Sequence, residues 1–201
     1  MALKFQYNRT AQQGLEKQLR VRERALPTLK NKESALRVEV KRAKDKIIQL
    51  EETLARELNH YETMTRLWGE FDKRLVKIQN VNLTLKKIAG VKTPLFDNIE
   101  FEAIEYNLFN SPVWFQDGIN IVKQIASIGI EKEVFLQKMQ LLEFARKKTT
   151  QKVNLYEKVQ IPEYQDAIRK IKRFMEDEEN LSKSAQKIVK NRQQQQMEEA
   201  L

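Results

Sequence analysis

The chain has 201 residues, 32% of them charged, with 5 Gly, 4 Pro, no Cys and a net charge of +9. Without cysteine there is neither a disulfide nor a thiolate metal site, and no apolar run approaches the roughly 18 residues that a membrane-spanning helix needs. Composition of this kind belongs to extended helix and coiled coil rather than to a layered core.

Charge is unevenly spread. Residues 1–50 hold 13 Lys or Arg against 5 Asp or Glu, whereas residues 93–122 hold no Lys or Arg, only Asp97, Glu100, Glu102, Glu105 and Asp117. A basic stretch with an acidic middle points to two ends that face different protein partners.

The first part, 1–79, reads as one long coiled-coil helix from Thr10 to about Ile78. Thr10-Ala11-Gln12-Gln13 fits a capping box. Leu36, Val40, Ala43, Ile47, Leu50 and Leu54 recur at steps of three and four, the seam of a left-handed coiled coil. Leu58, Tyr61, Met64, Trp68, Phe71, Leu75 and Ile78 continue the trace after a stutter.

The middle part, 80–111, alternates apolar and polar residues at Val81, Leu83 and Leu85 and again at Ile99, Phe101, Ile104, Tyr106 and Leu108. That is the pattern of a β-hairpin with one covered face. Gly90 and Pro94 are expected in its turn. Phe96, Phe101, Tyr106, Phe109, Trp114 and Phe115 crowd into a short stretch, enough for a local cluster.

The third part, 112–201, opens on Ser111-Pro112, a cap followed by a proline suited to a first helical turn. Met139, Leu142, Ala145 or Arg146, Thr149, Val153 and Tyr156 trace a second seam, resumed by Ile161, Tyr164, Ile168, Ile171 and Met175. Leu181, Ala185 and Ile188 follow more loosely, and the polar end is expected to fray. Pro162 interrupts this helix, and a break or kink is expected there, with Ile161 extended. The fold class is mainly α: a long antiparallel two-helix coiled coil with a small β-hairpin insertion. Pairing the termini would set Pro162 opposite the stretch near Ala43.

No phosphate-cradling loop motif or dinucleotide fingerprint is present. His60 is the one histidine, read as a surface or seam-edge residue. Glu51-Glu52 and Glu176-Asp177-Glu178-Glu179 read as solvated helix faces rather than as acid–base pairs. Catalytic, cofactor and metal sites are therefore all expected to be none. The basic residues from Lys17 to Lys46 lack interleaved aromatics, so nucleic acid is not expected as a partner.

Val153-Asn154-Leu155-Tyr156-Glu157 followed by Ile161-Pro162 resembles the V-N-x-x-E…I-P signature of the D subunits of the V-type (A/V-type) ATPases and ATP synthases, the central rotor stalk. Leu29-Lys30-Asn31-Lys32, Ile88-Ala89-Gly90-Val91 with Pro94, and Met175-Glu176-Asp177 match further family segments in register. Gln151-Lys152, Asn180, Pro27 and Thr28 depart from the family pattern. The resemblance implies a non-catalytic rotor shaft coupling ATP hydrolysis or synthesis to proton or sodium translocation. Its partners would be the catalytic and non-catalytic nucleotide-binding subunits of the hexamer, the small F subunit of the rotor, and the socket subunit above the membrane ring. It would be cytoplasmic and peripheral to the membrane, without insertion. The alternative is a coiled-coil scaffold or tether that does not rotate.

Overall fold

The computed structural model describes residues 4–103, 106 and 111–199. It is mainly α-helical, with one two-stranded antiparallel hairpin between the helices. Helix α1 is Arg9–Tyr61, α2 is Thr65–Trp68, strands β1 and β2 are Val76–Ile88 and Val91–Ala103, α3 is Phe115–Asn154, and α4 is Ile161–Glu199. The chain divides into two compact units, Met1–Asn31 with Thr150–Leu201, and Lys32–Thr149.

In the first unit, α1 starts one residue before Thr10, and the cap is Asn8: its Oδ1 accepts from Ala11 N–H at 2.7 Å. The capping box expected at Thr10 is not formed, because Asn8 already satisfies the free amide. Leu15 of α1 packs on Tyr164, Ala167 and Ile171 of α4, with Phe5, Leu19, Ile168 and Met175 around them. Tyr164 and Ile171 belong to the seam expected from spacing, and both are buried. Past Met175 the helix buries none of its described side chains, although Glu176 and Glu179 still stand beside Arg9 and Gln12 at the start of α1. Every residue from Glu176 to Glu198 is exposed, Leu181 and Ile188 included.

In the second unit, α1 and α3 bury Leu36, Val40 and Leu142 together. Ala43 and Leu50 are also buried, as the heptad spacing requires. Ion pairs Lys46–Glu131 (3.5 Å) and Lys132–Glu51 (3.4 Å) flank the seam. The α1 seam then stops, and Leu58 is half exposed. The helix ends at Tyr61 instead of near Ile78. A 3₁₀ turn, the short α2, and a second 3₁₀ turn capped by Asp72 follow. The continuing three-and-four spacing has another cause. Trp68, Phe71 and Leu75 close a corner against Trp114, Phe115 and Ile119.

The hairpin strands span 76–103, where the alternation predicts 80–111. Ile104, Leu108 and Phe109 lie outside the described residues. Gly90 does make the turn, together with Ala89, both at positive φ (Ala89 47°, Gly90 86°). Such a two-residue turn matches the twist of the strands. An alanine there is strained by about 1–2 kcal/mol, which is offset by the packing of its methyl on the Leu36–Leu142 cluster. Pro94 is not in the turn. It lies inside β2 opposite Leu85, in a pair that exchanges no ladder bonds, so its missing N–H costs the sheet nothing. At the far end α3 begins at Phe115 rather than at Pro112. Pro112 instead supplies the carbonyl that accepts from Phe115 N–H at 3.1 Å.

Leu142→Ala removes a fully buried side chain from this seam, and a loss of about 2–5 kcal/mol is expected in urea unfolding. Ile48→Ala, at a half-exposed position, should cost less than about 1 kcal/mol. Gly118→Ala tests the aromatic corner. A Cβ there would sit 2.9 Å from the Trp114 ring and 3.0 Å from Phe71. Overpacking of about 1–3 kcal/mol is expected to outweigh the gain in helix propensity of about 1 kcal/mol.

Candidate functional site

Among the described residues no group of three or more His, Asp or Glu side chains is placed to hold a metal ion, and no helix is long and apolar enough to cross a membrane. His60 is exposed, its ring 4.9 Å from that of Tyr61 and edge-on to it. Carboxyl groups held below their ordinary range are Asp166 and Glu179, each through a hydrogen bond and charge attraction from a lysine four residues on, Lys170 and Lys183. Both carboxylates lie on open helix surface, where such pairs support the helix. Glu176, Asp177 and Glu178 are exposed likewise. Three places on the surface stand out.

The first surrounds Pro162. No break occurs: Leu155–Gln160 is a π-helix that runs directly into α4. Ile161 is not extended but helical (φ −59°, ψ −50°), and its N–H donates to Tyr156 O, five residues back. Two needs meet in this wide turn. A proline ring in an α-helix collides with the carbonyl four residues earlier, here Lys158, and a π-turn moves that carbonyl aside. The seam also needs it. Leu142, Thr149 and Tyr156 are seven apart, and the next positions in strict register would be Glu163 and Lys170. Tyr164 and Ile171 are the buried residues, each one position later. A π-turn takes up one extra residue and returns the apolar face to its partner.

Polar side chains pin this turn to α1. Arg22 Nε donates to Gln160 Oε1 (2.8 Å), and its guanidinium lies 4.5 Å from the centre of the Tyr164 ring. Tyr164 O–H donates to Gln18 Oε1 (2.7 Å), and Lys30 pairs with Glu157 (2.6 Å). Pro162 therefore lies at the level of Gln18 to Arg22, not of Ala43. The expected pairing of Thr10 with a residue near 195 fails, because Leu15 packs on Tyr164 and Ile171 and α4 runs on past the start of α1. Pro27, a departure from the family pattern, sits inside α1 between Arg22 and Lys30, and is exposed. Both helices of this unit thus carry a proline within their length.

The second place is the α4 end from Glu176 to Glu198, a charged single helix with scattered exposed apolar residues, Leu181, Ile188, Val189 and Met197. The third is the hairpin. One face of its tip (Ile88, Val91) packs on the helices, while Leu83 and Leu85 stand exposed on the other. Near its base, Asn82 Nδ2 donates to Asn98 Oδ1 and Glu100 Oε1, both at 2.7 Å.

Paired helices carrying a hairpin are the class of fold that the described residues define. The model of the ATP synthase D-subunit family matches residues 11–191, and the chain belongs to that family, whose members are components of a larger complex. It is 31% identical over 177 residues to the D subunit of the V-type ATP synthase of Borreliella burgdorferi, covering 87% of each chain. Against the proteins of the same name from Chlamydia abortus and Chlamydia pneumoniae the identities are 29% and 26%, over 87% and 81% of this chain and 86% and 81% of theirs.

Two outcomes are expected here. Deleting Lys158 together with Pro162→Ala should turn the π-segment into α-helix with Tyr164 and Ile171 still in the seam, and keep stability within about 1 kcal/mol of the parent. A loss of several kcal/mol in chemical unfolding would show that the turn is not a phase insertion. The carboxyls of Asp166 and Glu179 should titrate below 3.8 and 4.5 in side-chain carboxyl NMR. Since the folded values are depressed, the support they give α4 is full above the unfolded values and fades as pH falls through the folded ones.

Proposed function

We propose that this chain is the non-catalytic central rotor shaft of a V-type ATPase or ATP synthase, carrying torque between ATP turnover in a nucleotide-binding hexamer and proton or sodium movement at a membrane ring. The observation that supports it most is family membership across residues 11–191 on a chain built from paired helices. The α4 end from Glu176 would stand within the hexamer of catalytic and non-catalytic subunits. The small F subunit of the rotor would bind lower down, and the aromatic corner around Trp68 and Trp114 would seat in the socket subunit. The chain itself would be cytoplasmic and peripheral to the membrane.

Physical requirements of such a shaft fit the residues. Torque demands that helices not slide past each other, and interlocked side chains at Leu36, Val40 and Leu142 resist sliding. A turning part must not be gripped at one angle, and the exposed α4 end carries charge on all sides instead of one broad apolar face.

The decisive experiment is to purify the complex through this chain and to follow a bead attached to it while ATP is supplied. One copy per hexamer and stepwise rotation are expected. A complex in which this chain stays fixed relative to the hexamer would favour the static scaffold. The isolated chain should neither bind nor hydrolyse ATP, which calorimetry checks directly. Replacing 76–103 by a short turn should leave the helices paired by circular dichroism and yet lower ATP-coupled ion transport in the reconstituted complex. Unchanged coupling would remove the hairpin from the mechanism.

A further inference from the structure

Among the described residues the sheet of the Lys32–Thr149 unit has two strands, so each strand has one edge outside the ladder. The two edges differ. Counted from the turn, Ile88–Val91, Lys86–Thr93 and Thr84–Leu95 are the pairs that exchange ladder hydrogen bonds. Lys87–Lys92, Leu85–Pro94 and Leu83–Phe96 are the pairs that do not, and their N–H and C=O groups point away from the hairpin.

On β2 this outer row is spoiled. Pro94 has no N–H to offer, and a bulge at Asp97 follows Phe96. Those are devices that keep a strand from being joined. On β1 the outer row runs through Leu83, Leu85 and Lys87 with neither device. Every side chain from Leu83 to Lys87 is exposed, Leu85 to 73%. One edge is closed and the other is open.

Charge selects what could join it. Between Leu83 and Phe96 stand Lys86, Lys87 and Lys92, and no Asp or Glu. Such an edge repels a basic strand and also a second copy of itself. We propose that β1 takes an added β-strand from a different protein chain. The joining segment is extended, with apolar side chains beside Leu83 and Leu85 and carboxylates beside Lys86 and Lys87. Main-chain bonds to the outer row would supply affinity, and the flanking side chains specificity. The assignment is independent of the rotor reading, since it concerns what holds the hairpin and not whether the complex turns.

Hydrogen exchange in the intact complex, compared with the isolated chain, tests it. Amides of Thr84, Lys86 and Ile88 are tied to β2 in both states. Those of Leu83, Leu85 and Lys87 should exchange fast in the isolated chain and slow on the order of tenfold or more in the complex. Leu85→Pro removes an outer donor while leaving the ladder bonds intact, as Pro94 does across from it, and should abolish the slowing. Lys86→Glu with Lys87→Glu leaves the backbone alone and should weaken the slowing by charge. Equal exchange in both states overturns the proposal. So does slowing in the concentrated isolated chain, which would mean self-pairing, or slowing that survives both variants.

Discussion

A helix that has one neighbour can bury one stripe of its surface and no more. In a layered domain an apolar residue facing the wrong way finds another element; here it meets water. Where two helices run side by side, each unit therefore keeps its buried residues in a narrow row, Leu15 with Tyr164 and Ile171 in one, Leu36 and Val40 with Leu142 in the other. That restriction governs what else the backbone does. The π-turn before Pro162 keeps the stripe in phase, and the hairpin tip closes over the Leu36 cluster, where two helices alone leave its flank open.

Much of this is legible in the residues. Repeats of three and four locate both seams because a helix pair leaves no other place for its apolar side chains, and Leu36, Leu142 and Ile171 are among the least exposed residues described. Spacing misleads where it has two physical readings. Trp68, Phe71 and Leu75 keep a helical rhythm but serve a folded corner, so periodicity alone extends the helix past Tyr61. The start of β1 is hidden because a bulge at Gln79 separates Val76 and Ile78 from Val81 and breaks the alternation. Pro94 suits a turn as well as an outer strand edge, since sequence does not show which edge is open. For Pro162, a break and a π-turn satisfy the same missing amide. The distinguishing sign is the one-residue offset of Tyr164 and Ile171 from the earlier seam, and that much the spacing contains.

The surfaces are less legible than the seams. A seam is a repeat and announces itself, whereas an open strand edge is a property of main-chain direction. Spacing does not match Arg22 with Gln160 or Gln18 with Tyr164, because their meeting depends on how far α4 overhangs α1. The family match and the paired helices together define a component of a larger complex. Its charge distribution follows, with basic residues crowding 1–50 and acidic ones 93–122.

The overhang has a consequence for the energetics of assembly. A helix in water without tertiary contacts is marginal even when its composition is favourable, since nucleation is costly and the ends fray. The stretch from Glu176 to Glu198 buries none of its described side chains, and its local support includes the Glu179–Lys183 pair. Were a partner to surround it, part of the free energy released would go into ordering the segment, which lowers the net affinity without removing a single contact. Such a segment can touch a large surface and still let go of it.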